Sequence, residues 1–586
     1  MSFAGLPSEL VLLIAESLYG ERDLNALSRC SHQLHTQLSD LLLLRNIKNH
    51  QSSALLFAAK QGSLALATRM IKLGARVDTA IENETATPLY YAAEKGHTAI
   101  FELLLASGAN PNAAFQNNWV PLCAAAAAGQ EQIVKILLAR DDVDFYASRP
   151  TPFALSCHRG HEGVMRLFLD KPGLDVTASG SNAYPLLGAV LGEHEGAVRL
   201  LLDDGQFDPN FLDEDLDKSV LMYAAEMGRE SIVQLLIDWG ADPNLKNRSL
   251  GFTALYYAVK AGHDATVRLL LARDDVDPNM RCGDSGLSVL LWAASTGSSA
   301  AVLKTLLENP AVDVHSKDRR GRNALITAID RSQEAAARVL LADGRISINE
   351  GDRDNRPPLA YAAFRDLPDI MELLLEAGAD ADHHDDYGRT ALFRASEAAT
   401  SLLLERGVEP DGRDKNSRSP LSWAASDGEL EVSALLLAHG AEVDSRDNKG
   451  WTPLFYAIMG KHKILKLLLE RGAVPNIRDH EGLTPLLTAA GGVCCKAGVV
   501  GSLLSKGADP NARDKNGRTA LSLAAGFAFH GTMKLLLEHD GTDLDTVDDQ
   551  GQTAAWWAQF VDLDDYGDKT EDEISKSIEI LETWTR

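Results

Sequence analysis

The sequence predicts an all-α fold: a solenoid of about sixteen paired helices, preceded by a small three-helix unit. Three observations predict it. One skeleton of residues recurs from about residue 51 to the C-terminus. The copies carry two apolar stripes at helical spacing, in many of them with a glycine after one or both. Residues 6 to about 48 do not match that skeleton, yet they carry three short apolar stripes of their own.

The recurrence is read by aligning the chain on itself. Thr452 opens TPLFYAIMGKHKILKLLLERGAVPN and Thr87 opens TPLYYAAEKGHTAIFELLLASGANPN. The first positions of the copies are Ser53, Thr87, Val120, Thr151, Tyr184, Ser219, Thr253, Ser288, Asn323, Pro357, Thr390, Ser419, Thr452, Thr484, Thr519 and Thr553. Most intervals are 31 to 35 residues and one is 29. The leading hydroxyl suits a helix N-cap, and Pro88, Pro420, Pro453 and Pro485 follow where a missing N–H costs nothing. Small residues such as Ala92 and Ala93 let neighbouring helices approach closely. Gly96, Gly228, Gly262 and Gly428 end the first helix. Ile464, Leu467 and Leu468 typify the stripe of the second, which Gly472 ends. A polar stretch such as RDHEGLT makes the finger into the next copy. Two short helices cannot bury their apolar faces alone, so the copies must stack.

This skeleton resembles the ankyrin repeat, with its period of about 33 residues and its T-P-L-H-x-A signature. The resemblance implies ten copies over 51–390, a shortened copy over 390–418, and five copies over 419–586. The shortened copy reads TALFRASEAATSLLLERGVEP and lacks about four residues where the inter-helix turn belongs. Two readings stand: a soft joint, or a shortened first helix tolerated without consequence. A second irregular place is GGVCCKAGVVG in the copy at Thr484. At the C-terminus, Thr570 and Glu573 form a capping box ahead of Ile574, Ile578, Leu581 and Trp584. This segment reads as the last copy's second helix, with a polar outer face as a cap.

Composition narrows the function classes. Charged residues make up 24% of the chain and the formal net charge is −26. That field repels nucleic acid and anionic membranes, and it suits a basic protein partner or simply solubility. No apolar run approaches the ~18 residues of a membrane span. The apolar run Leu10 to Ala15 is bracketed by Glu9 and Glu16 and is too short for a signal peptide. Six scattered cysteines fit a reducing compartment. The adjacent Cys494 and Cys495 read as a buried small apolar pair. The expectation is a monomer in the cytoplasm and/or nucleus.

No phosphate loop, zinc-protease motif or nucleophile elbow is present. The chain is expected to be no enzyme and to hold no cofactor or metal. His383, His384, Asp385 and Asp386 sit together, but in a finger where polar residues are routine. His97, His161 and His263 occupy a Gly-His position and read as capping or packing residues.

One position rises above this background. The x of T-P-L-H-x-A is aromatic in nine of sixteen copies, in a chain that is 6% aromatic. The resemblance implies that this position lies near the concave face. Tyr91, Tyr223, Tyr257, Trp292, Tyr361, Trp423 and Tyr456 are therefore candidate partner-binding residues. The competing reading packs them between copies.

The N-terminal unit, residues 1–48, has Pro7 at a helix start and a stripe of Leu6, Leu10, Leu13, Ile14 and Leu18. Gly20 breaks that helix. Asp23 can cap a second helix with Leu24 and Leu27. A third runs from about Ser31 with Leu34, Leu38, Leu41 and Leu42 inward. This resembles the F-box of the form found ahead of ankyrin repeats in filamentous fungi. The resemblance implies that Leu6, Pro7, Leu10, Ile14, Leu24 and Leu27 contact a Skp-family adaptor of a cullin–RING ubiquitin ligase. The third helix lacks the Trp that many F-boxes carry. The expected function is a substrate-recognition subunit whose repeats capture a protein. The alternative is a non-catalytic scaffold whose N-terminal helices only cap the array.

Overall fold

A computed structural model describes residues 29, 32–49, 52–78, 86–114, 118–177, 184–213, 217–283, 286–492, 497–559 and 570–584. The first two helices of the N-terminal unit lie outside the described residues. So do Leu6, Pro7, Leu10, Ile14, Leu24 and Leu27, and the pair Cys494 and Cys495. The described residues form thirty-two helices and no strand. One long helix comes first, His32–Asn49. Sixteen second helices and fifteen first helices account for the rest. The missing first helix belongs to the copy at Thr390.

Two compact units divide the chain. The first comprises residues up to Pro278 together with Cys282–Asp284, and the second comprises Asn279–Arg281 and Ser285–Arg586.

In the first unit, His32–Asn49 packs on both helices of the first copy, Ser53–Gln61 and Leu64–Lys72. Leu38 is fully buried there. Asn46 also caps the first copy: its Oδ1 accepts from Ala54 N at 2.9 Å and its Nδ2 donates to Ser53 Oγ at 2.7 Å. The helix therefore starts at Ser53 rather than being capped by it, with Ser52 at φ 63° making the entry turn. Further along, the leading hydroxyl works as the sequence predicts in most copies that have one, though Thr452 of the second unit makes no such bond. Thr87, Thr151, Ser219 and Thr253 each accept from the N–H three residues on. Ala92, Ala93, Ala224, Ala225 and Ala258 are fully buried where first helices meet.

The glycine between the helices has a second reason to be glycine. Gly228 sits at φ 69°, and a Cβ there would lie 2.6 Å from the ring of His263 in the next copy. That ring passes over the glycine so that His263 Nε2 meets Glu226 O at 3.0 Å. His97 and His161 make the same reach to Lys60 O and Ala127 O.

In the second unit the same plan continues to the C-terminus. Thr570 and Glu573 form their reciprocal box: Glu573 N donates to Thr570 Oγ1 at 3.3 Å and Thr570 N to Glu573 Oε2 at 3.0 Å. Helix Glu571–Trp584 then packs on Ala554–Gln559 and His530–Leu537, burying Ser577 and Leu581. The shortened copy behaves differently. Residues 391–394 form turns, Arg394 takes φ 99°, and Ser396 N donates to Ala363 O of the preceding copy at 3.3 Å. The second helix, Glu397–Glu405, is intact, capped by Ser396 Oγ. It packs against Pro368–Glu376 and Leu430–Ala438. Losing four residues leaves too few for even two helical turns, so the first helix is the part that disappears.

Candidate functional site

The fingers and the x positions are built together in the second unit. An aspartate opens each finger turn. In the copy at Pro357, Asp352 Oδ1 accepts from Asp354 N at 3.0 Å and Arg356 N at 2.9 Å. Its Oδ2 meets Arg356 at 3.0 Å and accepts from Tyr361 Oη at 2.7 Å. Asp414 repeats this with Arg418 and with Trp423 Nε1 at 3.1 Å. Asp447 accepts from Tyr456 Oη at 2.7 Å, and Asp548 from Trp557 Nε1 at 3.0 Å. The shared rule is an aspartate with an aromatic nine residues on; Asp352 and Asp414 also have an arginine four residues on, where Asp447 has Trp451 and Asp548 has Gln552. The arginine also lies over the ring, at 5.6 Å for Arg356 on Tyr361 and 4.1 Å for Arg418 on Trp423. Buried charge is tolerable here because each carboxylate has several donors. Burial, followed by the aspartate beside each hydroxyl, pushes Tyr361 and Tyr456 well above the usual tyrosine range.

The candidate aromatics therefore differ in setting. Tyr361, Trp423 and Tyr456 are half-buried, with their polar tips on finger aspartates. Trp292, in the same unit, is half-buried. In the first unit Tyr91 is half-buried, with Lys60 Nζ 4.2 Å from its ring centroid. Tyr223 and Tyr257 are buried, at 8% and 4% exposure. Lys218 Nζ lies over both rings, 5.1 Å and 4.6 Å away, and pairs with Glu226 at 2.5 Å. Burial, then neighbouring carboxylates, pushes both hydroxyls up to about 12. Tyr223 Oη has no hydrogen-bond partner, whereas Tyr257 Oη faces Asn247 Nδ2 at 3.5 Å.

A Pro-Asn pair recurs at the end of many copies, as in GANPN and GAVPN, with no role for the asparagine evident in the sequence. The structure gives it one. Asn210 Oδ1 accepts from Asp242 N at 2.6 Å and its Nδ2 donates to Gly240 O at 2.9 Å. Asn476 does the same with Asp509 N at 2.7 Å and Gly507 O at 2.9 Å. A primary amide carries a donor and an acceptor side by side, so one side chain clamps the next copy's backbone. Its recurrence at a fixed place was the available signal.

His383 Nε2 lies 3.1 Å from Asn355 O, and Asp385 pairs with Arg389 at 2.7 Å. These residues are thus engaged in the finger. Among the described residues no group of three or more potential metal ligands converges. Cys123, Cys157 and Cys282 are buried thiols, and burial pushes each upward. No described helix is long and apolar enough to cross a membrane.

The turn at the shortened copy opens a cleft. Arg356, Tyr361, Phe364, Asp385, Arg389, Thr390, Phe393 and Arg394 line about 100 Å³. Position x here is Arg394, nine residues after Asp385, where nine of the other fifteen copies place an aromatic.

Stacked helix pairs clamped finger to finger, with side chains varying at fixed positions, define a repeat protein of the interaction class. A family model described as Ankyrin repeats (3 copies) matches residues 27–115, 186–282, 255–352, 290–385, 396–479 and 491–563. The chain belongs to the ankyrin-repeat family and is, as such, a protein-binding array. No F-box model matches it. Serine/threonine-protein kinase VIK of Arabidopsis thaliana is 33% identical over 108 residues, 18% of this chain and 25% of that protein. The chain thus matches about a quarter of that relative's length.

Proposed function

We propose that this chain is a non-enzymatic adaptor. Its ankyrin array captures a protein, and residues 1–48 present that protein to a Skp-family adaptor of a cullin–RING ubiquitin ligase. The observation that carries the capture half is the array itself: fingers and second helices are locked by Asp–Arg and Asn clamps, leaving rigid exposed positions for recognition. The presentation half is supported by the Leu6-Pro7 start and the F-box-like spacing of Leu10, Ile14, Leu24 and Leu27. The test is co-purification of the full chain with a Skp-family adaptor. Wild type is expected to retain the adaptor and Leu6→Ala/Pro7→Ala to lose it. An adaptor that fails to bind wild type removes the ligase role.

One observation favours a second reading, a scaffold without a ligase link. Helix His32–Asn49 buries Leu38 against the first copy and caps it through Asn46. That is the work of a terminal cap. Under this reading the same co-purification gives no adaptor, and removing residues 1–48 lowers the stability of the first copy.

A further inference from the structure

We propose that the cleft at the shortened copy is a docking pocket for an acidic peptide segment of a partner protein. It would take one carboxylate onto Arg394 and an adjoining apolar side chain against Phe364. The inference rests on the protein-capturing role above and locates part of it.

Four observations carry it. The first is charge. The neighbouring arginines are already neutralised: Arg356 by Asp352 and Asp354, Arg389 by Asp385, and Arg365 by Asp330. Among the described residues no carboxylate lies within ion-pair distance of Arg394. Its guanidinium rests on the Trp423 ring, 5.2 Å away, and faces outward. A cation without an ion-pair partner beside two further arginines complements an anion on a molecule of net charge −26, while Asp427 and Glu429 line the recess on its Trp423 side.

The second is unmet hydrogen bonding. Thr390 is 6% exposed and its Oγ1 has no partner. In most other copies the equivalent hydroxyl caps a first helix, but here that helix is missing. Arg356 Nε, also lining the cleft, is buried without a partner. Both atoms lie beneath the cleft surface, as does the equally unpartnered Thr452 Oγ1 of an intact copy, so an occupant's acceptor oxygens reach them only where the wall shifts to admit it.

The third is the wall opposite. Phe364 is 52% exposed at the end of its helix, and Phe393 and Tyr361 complete an aromatic lining. The fourth is size. About 100 Å³ is well below the several hundred Å³ of a cofactor site and suits a single inserted side chain.

Arg394 also holds φ 99°, a backbone region natural to glycine and costly for arginine. A residue kept there at a cost to stability is one whose side chain serves another purpose. This gives a test in which stability and binding move in opposite directions. The probes are short fluorescein-labelled synthetic peptides setting one aspartate or glutamate beside a leucine or phenylalanine, with lysine versions as controls. They are titrated against the full chain by fluorescence anisotropy.

Acidic peptides are expected to bind wild type and lysine versions not to. Arg394→Gly is expected to raise the urea midpoint while weakening acidic peptides about tenfold, the loss expected for one charge-assisted contact. Arg394→Glu should weaken them further, and Phe364→Ala should remove the preference for an apolar neighbour. Acidic peptides that fail to bind wild type, or that bind Arg394→Gly and Arg394→Glu as wild type, overturn the pocket. Inorganic phosphate competing as well as the peptides would overturn the peptide assignment. A failed Skp co-purification leaves these outcomes intact, and a failed pocket leaves the adaptor role intact.

Discussion

At the residue scale, one finger aspartate, Asp548, ties the stability of its copy to pH. Burial pushes its carboxyl up, but the N–H groups of Gln552 and Gln550, the Trp557 indole and the Arg518 charge together hold it below the usual aspartate range. A carboxyl depressed on folding contributes stability that is present above its unfolded value, near pH 4, and is lost as pH falls through the folded value. The urea midpoint of the C-terminal copies, followed by tryptophan fluorescence, is therefore expected to drop between about pH 5 and pH 3. Trp557→Phe removes one donor and is expected to make that drop shallower; an unchanged slope would discharge Asp548 of the role. The same triad explains why the aromatic ladder was only half legible. Periodicity located Tyr361, Trp423 and Tyr456 as special. It did not reveal that each carries its polar tip to an aspartate nine residues earlier, because that pairing depends on how the finger folds back over the helix.

At the element scale, the turn between helices joins one copy to the next. Gly228 combines a positive φ with the His263 ring lying where a Cβ would be. Gly228→Ala is expected to cost about 1–3 kcal/mol, from backbone strain and from displacing that ring. His263→Ala should cost about 1 kcal/mol by losing one net hydrogen bond. Because the two share one contact, the double variant should cost clearly less than the sum, and a double-mutant cycle by urea denaturation measures it. A strictly additive result would show that strain alone sets the glycine. The helix pairs, their caps and the glycines were readable from the sequence because they are local and repeated sixteen times. The fate of the copy at Thr390 was not. Counting residues shows that about four are gone, and the gap was placed at the inter-helix turn. The structure instead gives up the whole first helix, since a helix of so few residues cannot outweigh its nucleation cost while the second helix keeps its buried stripe. The cleft follows from that choice and has no motif of its own. The six adaptor contacts proposed for the N-terminal unit rest on the resemblance alone and lie outside the described residues.

At the scale of the whole molecule, stability is expected to be a sum of copies and of the clamps between neighbours. Asn476→Ala removes two exposed inter-copy hydrogen bonds and should cost about 1–2 kcal/mol in the second unit. Gly228 belongs to the first unit, so Gly228→Ala and Asn476→Ala should add within about 0.5 kcal/mol when unfolding is followed calorimetrically. A coupling well beyond that would mean that distant copies unfold as one.

The missing helix also shows where such a chain tolerates editing. Around Thr390 the finger at Asp385 and the helix Glu397–Glu405 both keep their places, and the next finger at Asp414 follows with its Arg418 and Trp423 partners intact. The copy is shorter by about four residues, and the copies after it keep their frame. In this copy the fingers and the second helix keep their places, while the first helix takes up the shortfall. A lineage of such arrays can therefore gain or lose a recess by small changes in length at a single kind of position, and leave everything after it in register.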